Sequence, residues 1–125
     1  MKKFLGLILI TFLTTLSAYS ADMRFIQVES VLFNSNNTKS FENLINKINS
    51  EKNVDFVVFT GNNIAAPNKK ELNIFLKNAN KLKAPYYVVL GQKDINLKKH
   101  LGKKEYMKTV RKNNRTHLFI SSPNY

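Results

Sequence analysis

The chain has 125 residues, is 43% hydrophobic and carries a formal net charge of +12, which suits one packed domain and is too little for two. It has no Cys, so a disulfide framework, a thiolate metal site, a Cys nucleophile and a lipid-attachment Cys are all excluded. The charge is lopsided: residues 21–68 hold four Lys/Arg against five Asp/Glu, and residues 69–125 hold fourteen against three. Such a surface attracts anions. No recognition-helix signature, basic–aromatic repeat or zinc-finger spacing accompanies it, so no specific nucleic acid is expected as a partner.

Lys2 and Lys3 open the chain, and residues 4–16 are apolar apart from Thr and Gly. That is the length of a signal-peptide core and falls short of the roughly twenty residues a spanning helix needs. Ala18 and Ser20 are the small residues a cut after Ser20 requires. Residues 1–20 are therefore expected to be a signal peptide, with an uncleaved N-terminal anchor as the alternative. Residues 21–125 would be the exported chain, periplasmic or extracellular, with no transmembrane segment after cleavage.

Residues 24–33 alternate loosely, are rich in Phe, Ile and Val, and read as a strand. Asn34 to Asn37 read as a loop, with Thr38 as helix cap. Phe41, Leu44, Ile45 and Ile48 then form one stripe on a helix ending near Ser50. Residues 54–60 (VDFVVFT) are a near-continuous apolar run of the kind a strand buried on both faces shows. Gly61-Asn62-Asn63 ends it. Asn68 can cap a second helix over 69–82, striped by Leu72, Phe75, Leu76, Ala79 and Leu82, with Glu71 in its first turn. Residues 85–90 (PYYVVL) read as a third strand ended by Gly91, residues 103–112 as a third helix with Tyr106, Met107 and Val110 on one side, and 116–121 as a short fourth strand. The order β-α-β-α-β-α-β implies an α/β layered fold with a mainly parallel sheet. Ligand sites in such sheets lie beyond the carboxyl ends of the strands. Here those ends are Glu29-Ser30-Val31-Leu32, Gly61-Asn62-Asn63 and Gly91-Gln92-Lys93-Asp94.

This layout resembles the N-terminal half of a calcineurin-like metallophosphoesterase. That family carries D-x-H after its first strand, G-D-x-x-D after its second and G-N-H-D/E after its third. The resemblance runs from Arg24 to about Tyr125, including the apolar strand before Thr60-Gly61, the Ala84-Pro85 approach to the third motif, and the closing Phe119-Ile120-Ser121-Ser122-Pro123-Asn124-Tyr125. It implies the first half of an αββα sandwich and, for the family, two divalent metal ions that polarise a phosphoester and supply the attacking hydroxide.

The motif positions have mostly lost that chemistry. By the resemblance, the metal-ligand positions fall on Ser30, Leu32, Asn62 and Gln92, the catalytic His on Lys93, and the acidic residue that orients it on Asp94. Ala65 stands where the second motif has its further Asp. Leu cannot ligate, and Ser, Asn and Gln bring no negative charge. Lys93 cannot exchange a proton near neutral pH without a large pKa shift. Asp94 reads better as a helix cap or a surface turn after Gly91 than as a catalytic residue. His100, expected in a Lys-rich turn, and His117, on the predicted fourth strand, lie too far apart in sequence to suggest a metal site. No cofactor is expected.

The leading expectation is thus an exported, truncated and degenerate phosphoesterase domain, spanning 21–125, without activity. One alternative is a non-catalytic module that binds a phosphate-like anion through Ser30, Asn62, Asn63, Gln92 and Lys93. Another is a residual hydrolase completed by a partner chain. The fold would leave an open sheet edge through which copies could associate.

Overall fold

A computed structural model describes residues 22–113 and 119–120. The expected signal peptide and His117 lie outside the described residues. The elements are β1 (Phe25–Glu29), a 3-10 turn (Ser35–Asn37), α1 (Thr38–Ser50), β2 (Phe56–Thr60), α2 (Lys69–Ala79), β3 (Tyr86–Val89), α3 (Gln92–Leu101), α4 (Lys103–Asn113) and the two-residue β4 (Phe119–Ile120). The strands lie in the order β1-β2-β3-β4, and every neighbouring pair is parallel. The α/β layered class with a parallel sheet is therefore observed. Among the described residues, no helix is long and apolar enough to cross a membrane.

Four local readings need correction. The helix expected over 69–82 ends at Ala79, because Asn80 caps it, and Leu82 lies beyond it. Residues 92–101 are a helix, so the order after β3 is α-α-β and His100 occupies the last turn of α3 rather than a loop. The N-cap of α1 is Asn37, because Thr38 turns its hydroxyl back to the carbonyl of Ser35 at 2.9 Å. β1 ends at Glu29, because Ser30 and Leu32 adopt left-handed backbone with φ of 49° and 48°. Strand geometry cannot continue through such residues.

Each crossover steps to the next strand in the row. Right-handed crossovers made this way place all the helices on one face. The register puts Ile26, Val57 and Tyr86 abreast, and likewise Val28, Phe59 and Val88. These residues face the helices. Phe59 is fully buried against Phe41 of α1 and Phe75 of α2, and Phe33 and Tyr86 extend the cluster at centroid distances of 5.2–6.1 Å. Burying each such side chain contributes about 1.5–3 kcal/mol. Leu97 of α3 and Tyr106 and Val110 of α4 complete the core.

By the alternation of a strand, Phe25, Phe56, Val58 and Tyr87 point to the opposite face. No described helix covers it. Phe25 stacks on Phe56 at 5.1 Å, Phe56 meets Tyr87 edge-on at 5.6 Å, and Phe25 is still 52% exposed. Parallel sheets are ordinarily covered on both sides.

Candidate functional site

The carboxyl ends of β1, β2 and β3 are adjacent, and the loops leaving them lie against one another. After Glu29 the chain keeps pairing with the β2 loop: the amides of Ser30, Leu32 and Phe33 donate to the carbonyls of Thr60, Asn62 and Asn63 at 2.7–3.0 Å. Glycine permits the contact to the third loop. A Cβ on Gly91 would lie 2.4 Å from the carbonyl carbon of Gly61 and 2.6 Å from the nitrogen of Asn62. Gly61 itself has φ of +76°, and a Cβ there would meet Ser30 Oγ at 2.6 Å. All three loops are thus in backbone contact through two glycines.

Asp94 is the hub of this junction. It sits in the first turn of α3 and is 2% exposed. Its Oδ1 accepts from the amide of Ile64 at 2.9 Å, and its Oδ2 from the amide of Gly91 at 3.0 Å. The amide of Asn63 lies within 3.1 Å of both oxygens, and Asn63 Nδ2 donates to Oδ2 at 3.0 Å. Burial pushes the Asp94 carboxyl above its ordinary value, while these N–H donors pull it back down. The Tyr106 hydroxyl is pushed upward, first by burial and then by the Asp94 charge.

The other motif positions surround the hub. Asn62 Oδ1 accepts from the amide of Lys93 at 2.9 Å, closing a second link between the β2 loop and α3. Asn63 is 1% exposed and also donates to the carbonyls of Gly61 and Val89 at 3.2 Å. Gln92 turns along its own helix to Asn96 at 3.0 Å. Lys93 is exposed, and its Nζ reaches back to the carbonyl of Ala65 at 3.3 Å, so its charge rests over the β2 loop. Leu32 is 40% exposed at the rim.

Two divalent ions do not fit this donor set. Asn62 Oδ1 is engaged with a backbone amide, Leu32 offers no donor, Lys93 brings positive charge, and the Asp94 oxygens are turned into the protein on N–H groups. Among the described residues, no three His, Asp or Glu side chains come together as a metal site would need. His100 lies in the last turn of α3 beside Lys98 and Lys99.

The structure therefore brings Ser30, Asn62, Asn63, Lys93 and Asp94 together at one end of the sheet. The part sequence reasoning missed is the role of Asp94 as a shared acceptor for two loops. A signal was present: Gly91 followed three residues later by Asp94 has helix-start spacing, and Ile95 and Leu97 follow it. No protein-family model, curated protein or solved structure matches the chain.

Proposed function

We propose that the chain is an exported, degenerate phosphoesterase-like domain, with the layout of the first half of a metallophosphoesterase, that has kept the scaffold of the strand-end site and lost its catalysis. The observation that carries this reading is the state of Asp94. The one acidic side chain among the motif positions is consumed by backbone amides, so it holds the loops together instead of facing a substrate. Two adjacent cations repel strongly and need several nearby negative charges. Ser30, Leu32, Asn62 and Gln92 supply none, and Lys93 adds a positive charge. The left-handed backbone at Ser30 and Leu32 supports descent from a working site, because such strain clusters where function once demanded a particular geometry. The bare aromatic face of the sheet supports a sandwich layout, in which a second layer or a second copy would cover it.

Anion binding at the strand ends has less support. The amides of Gly91, the N-cap of α3, and of Lys93 in its first turn already have partners, and the Asp94 carboxylate lies beneath them, where it would repel an anion.

The test is purified protein with bis-nitrophenyl phosphate across manganese, iron, nickel and zinc. No metal-dependent turnover is expected, and Asn62→Asp should restore none, because the remaining positions stay without charge. Metal-dependent turnover in the unmodified protein would overturn the reading.

A further inference from the structure

Away from the strand ends, α2 and α4 flank a groove of about 860 Å³. Lys69, Lys77, Lys81, Lys108 and Lys112 line it, and Glu105 is the one acidic residue among the lining groups. Lys69 is paired with Glu105, and Lys81 with Glu42 across the neighbouring helix. Lys77, Lys108 and Lys112 have no ion pair among the described residues and are exposed.

Their placement is costly for the protein alone. Lys108 and Lys112 are one turn apart on α4, and Lys77 stands on the α2 side of the same groove. Like charges at this spacing on one helix repel each other. A concave wall lined by one sign of charge focuses the field and concentrates counter-ions. An anion laid along the groove would offset the repulsion between Lys108 and Lys112 and give Lys77 a partner.

The lining also narrows the class of anion. Lysines act as point charges and bind phosphate without the planar, two-pronged match that Arg gives. The lining holds no aromatic side chain, so there is no platform on which a base could stack. Its one large apolar residue is Ile74, and a concave groove does not lie flat on a membrane. We propose that the α2–α4 groove binds a flexible chain of phosphate groups, held by charge along its backbone and without contacts to bases. This site is separate from the strand-end junction and does not rest on the phosphoesterase reading.

The probe is a fluorescently labelled linear inorganic polyphosphate, titrated into the purified protein by anisotropy over a range of salt. The triple variant Lys77→Gln, Lys108→Gln, Lys112→Gln is compared with Lys39→Gln, Lys47→Gln, Lys52→Gln, which removes the same charge from exposed positions elsewhere. The groove triple should weaken binding at least about tenfold and flatten the log–log salt dependence by about two units, as the loss of three phosphate contacts requires. The control triple should change affinity less than about threefold, as loss of distant, screened charge would. In the unmodified protein, bound polyphosphate should protect Lys77, Lys108 and Lys112 from amine acetylation more than Lys39. Circular dichroism checks that both triples fold, and the protection experiment needs no variant. Equal losses in the two triples, uniform protection of all lysines, no binding at low salt, or a single-stranded oligonucleotide binding at least about tenfold more tightly than polyphosphate would each overturn the proposal.

Discussion

Removing the Asp94 carboxylate should destabilise the protein far more than a first-turn aspartate on an ordinary helix would. Asp94→Ala leaves the backbone amides of Asn63, Ile64 and Gly91 without their acceptor, and the side chain they meet is 2% exposed. A buried donor left unpaired costs about 1–3 kcal/mol. Three of them, partly relieved by entering water, give roughly 3–6 kcal/mol, a large share of the about 5–15 kcal/mol a whole domain commands. Asp94→Asn keeps one oxygen but turns an NH2 group onto donors, so it should lose about 2–4 kcal/mol. Urea unfolding followed by circular dichroism measures both. The pH dependence has a definite sign. The folded carboxyl sits above its ordinary value of 3.8, so its contribution is full below that value and falls as pH rises through the raised one. The deficit of Asp94→Asn relative to the unmodified protein should therefore shrink as pH increases from below 3.8 through the raised value. An Asp94→Ala protein within about 1 kcal/mol of the unmodified one would refute the hub argument. A deficit that grows with pH would refute the dominance of burial.

Gly91→Ala should cost about 1–3 kcal/mol by forcing a methyl onto the Gly61 backbone. It should lose more than Gly102→Ala, where only the positive φ resists and no atom lies within 4 Å; equal losses in urea melts would contradict the close approach. The bare aromatic face should drive concentration-dependent association that Phe25→Ser weakens in sedimentation velocity, and a protein already monomeric at high concentration would count against it. N-terminal sequencing of exported protein should begin at Ala21, and recovery of Met1 in the cytosol would end the export reading.

The elements that sequence made legible are those whose burial follows a single period. α1 and α2 bury Phe41, Ile45 and Ile48, and Leu72, Phe75 and Leu76, on stripes that periodicity alone detects. β2 and β3 are short apolar runs found within two residues of their ends. α3 was hidden because its buried face is Asp94, Ile95 and Leu97, and a buried carboxylate looks polar in any hydropathy pattern. The strand-end junction was legible as a location, since parallel strands must end somewhere together. Its chemistry was not, because what fixes it is backbone: two left-handed residues, one glycine pressed on another, and amides whose partner is 31 residues away. The bare sheet face was hidden for the opposite reason. Phe56 and Val58 look as buried in sequence as Val57 and Phe59, and only the one-sided winding tells them apart.

That winding has a consequence for how the chain comes off the ribosome. Each strand joins the edge laid down just before it, and among the described strands none is inserted between earlier ones. Loop closures are therefore short, and a nascent chain can build its sheet in the order of translation. The exception is the hub. The amides of Asn63 and Ile64 emerge about thirty residues before the carboxylate that receives them, so the first two strands must wait with those donors open until Asp94 is made. The last step of assembly at the strand ends is then the arrival of one side chain. A nascent chain stalled before that residue should be proteolysed in the β2 loop first.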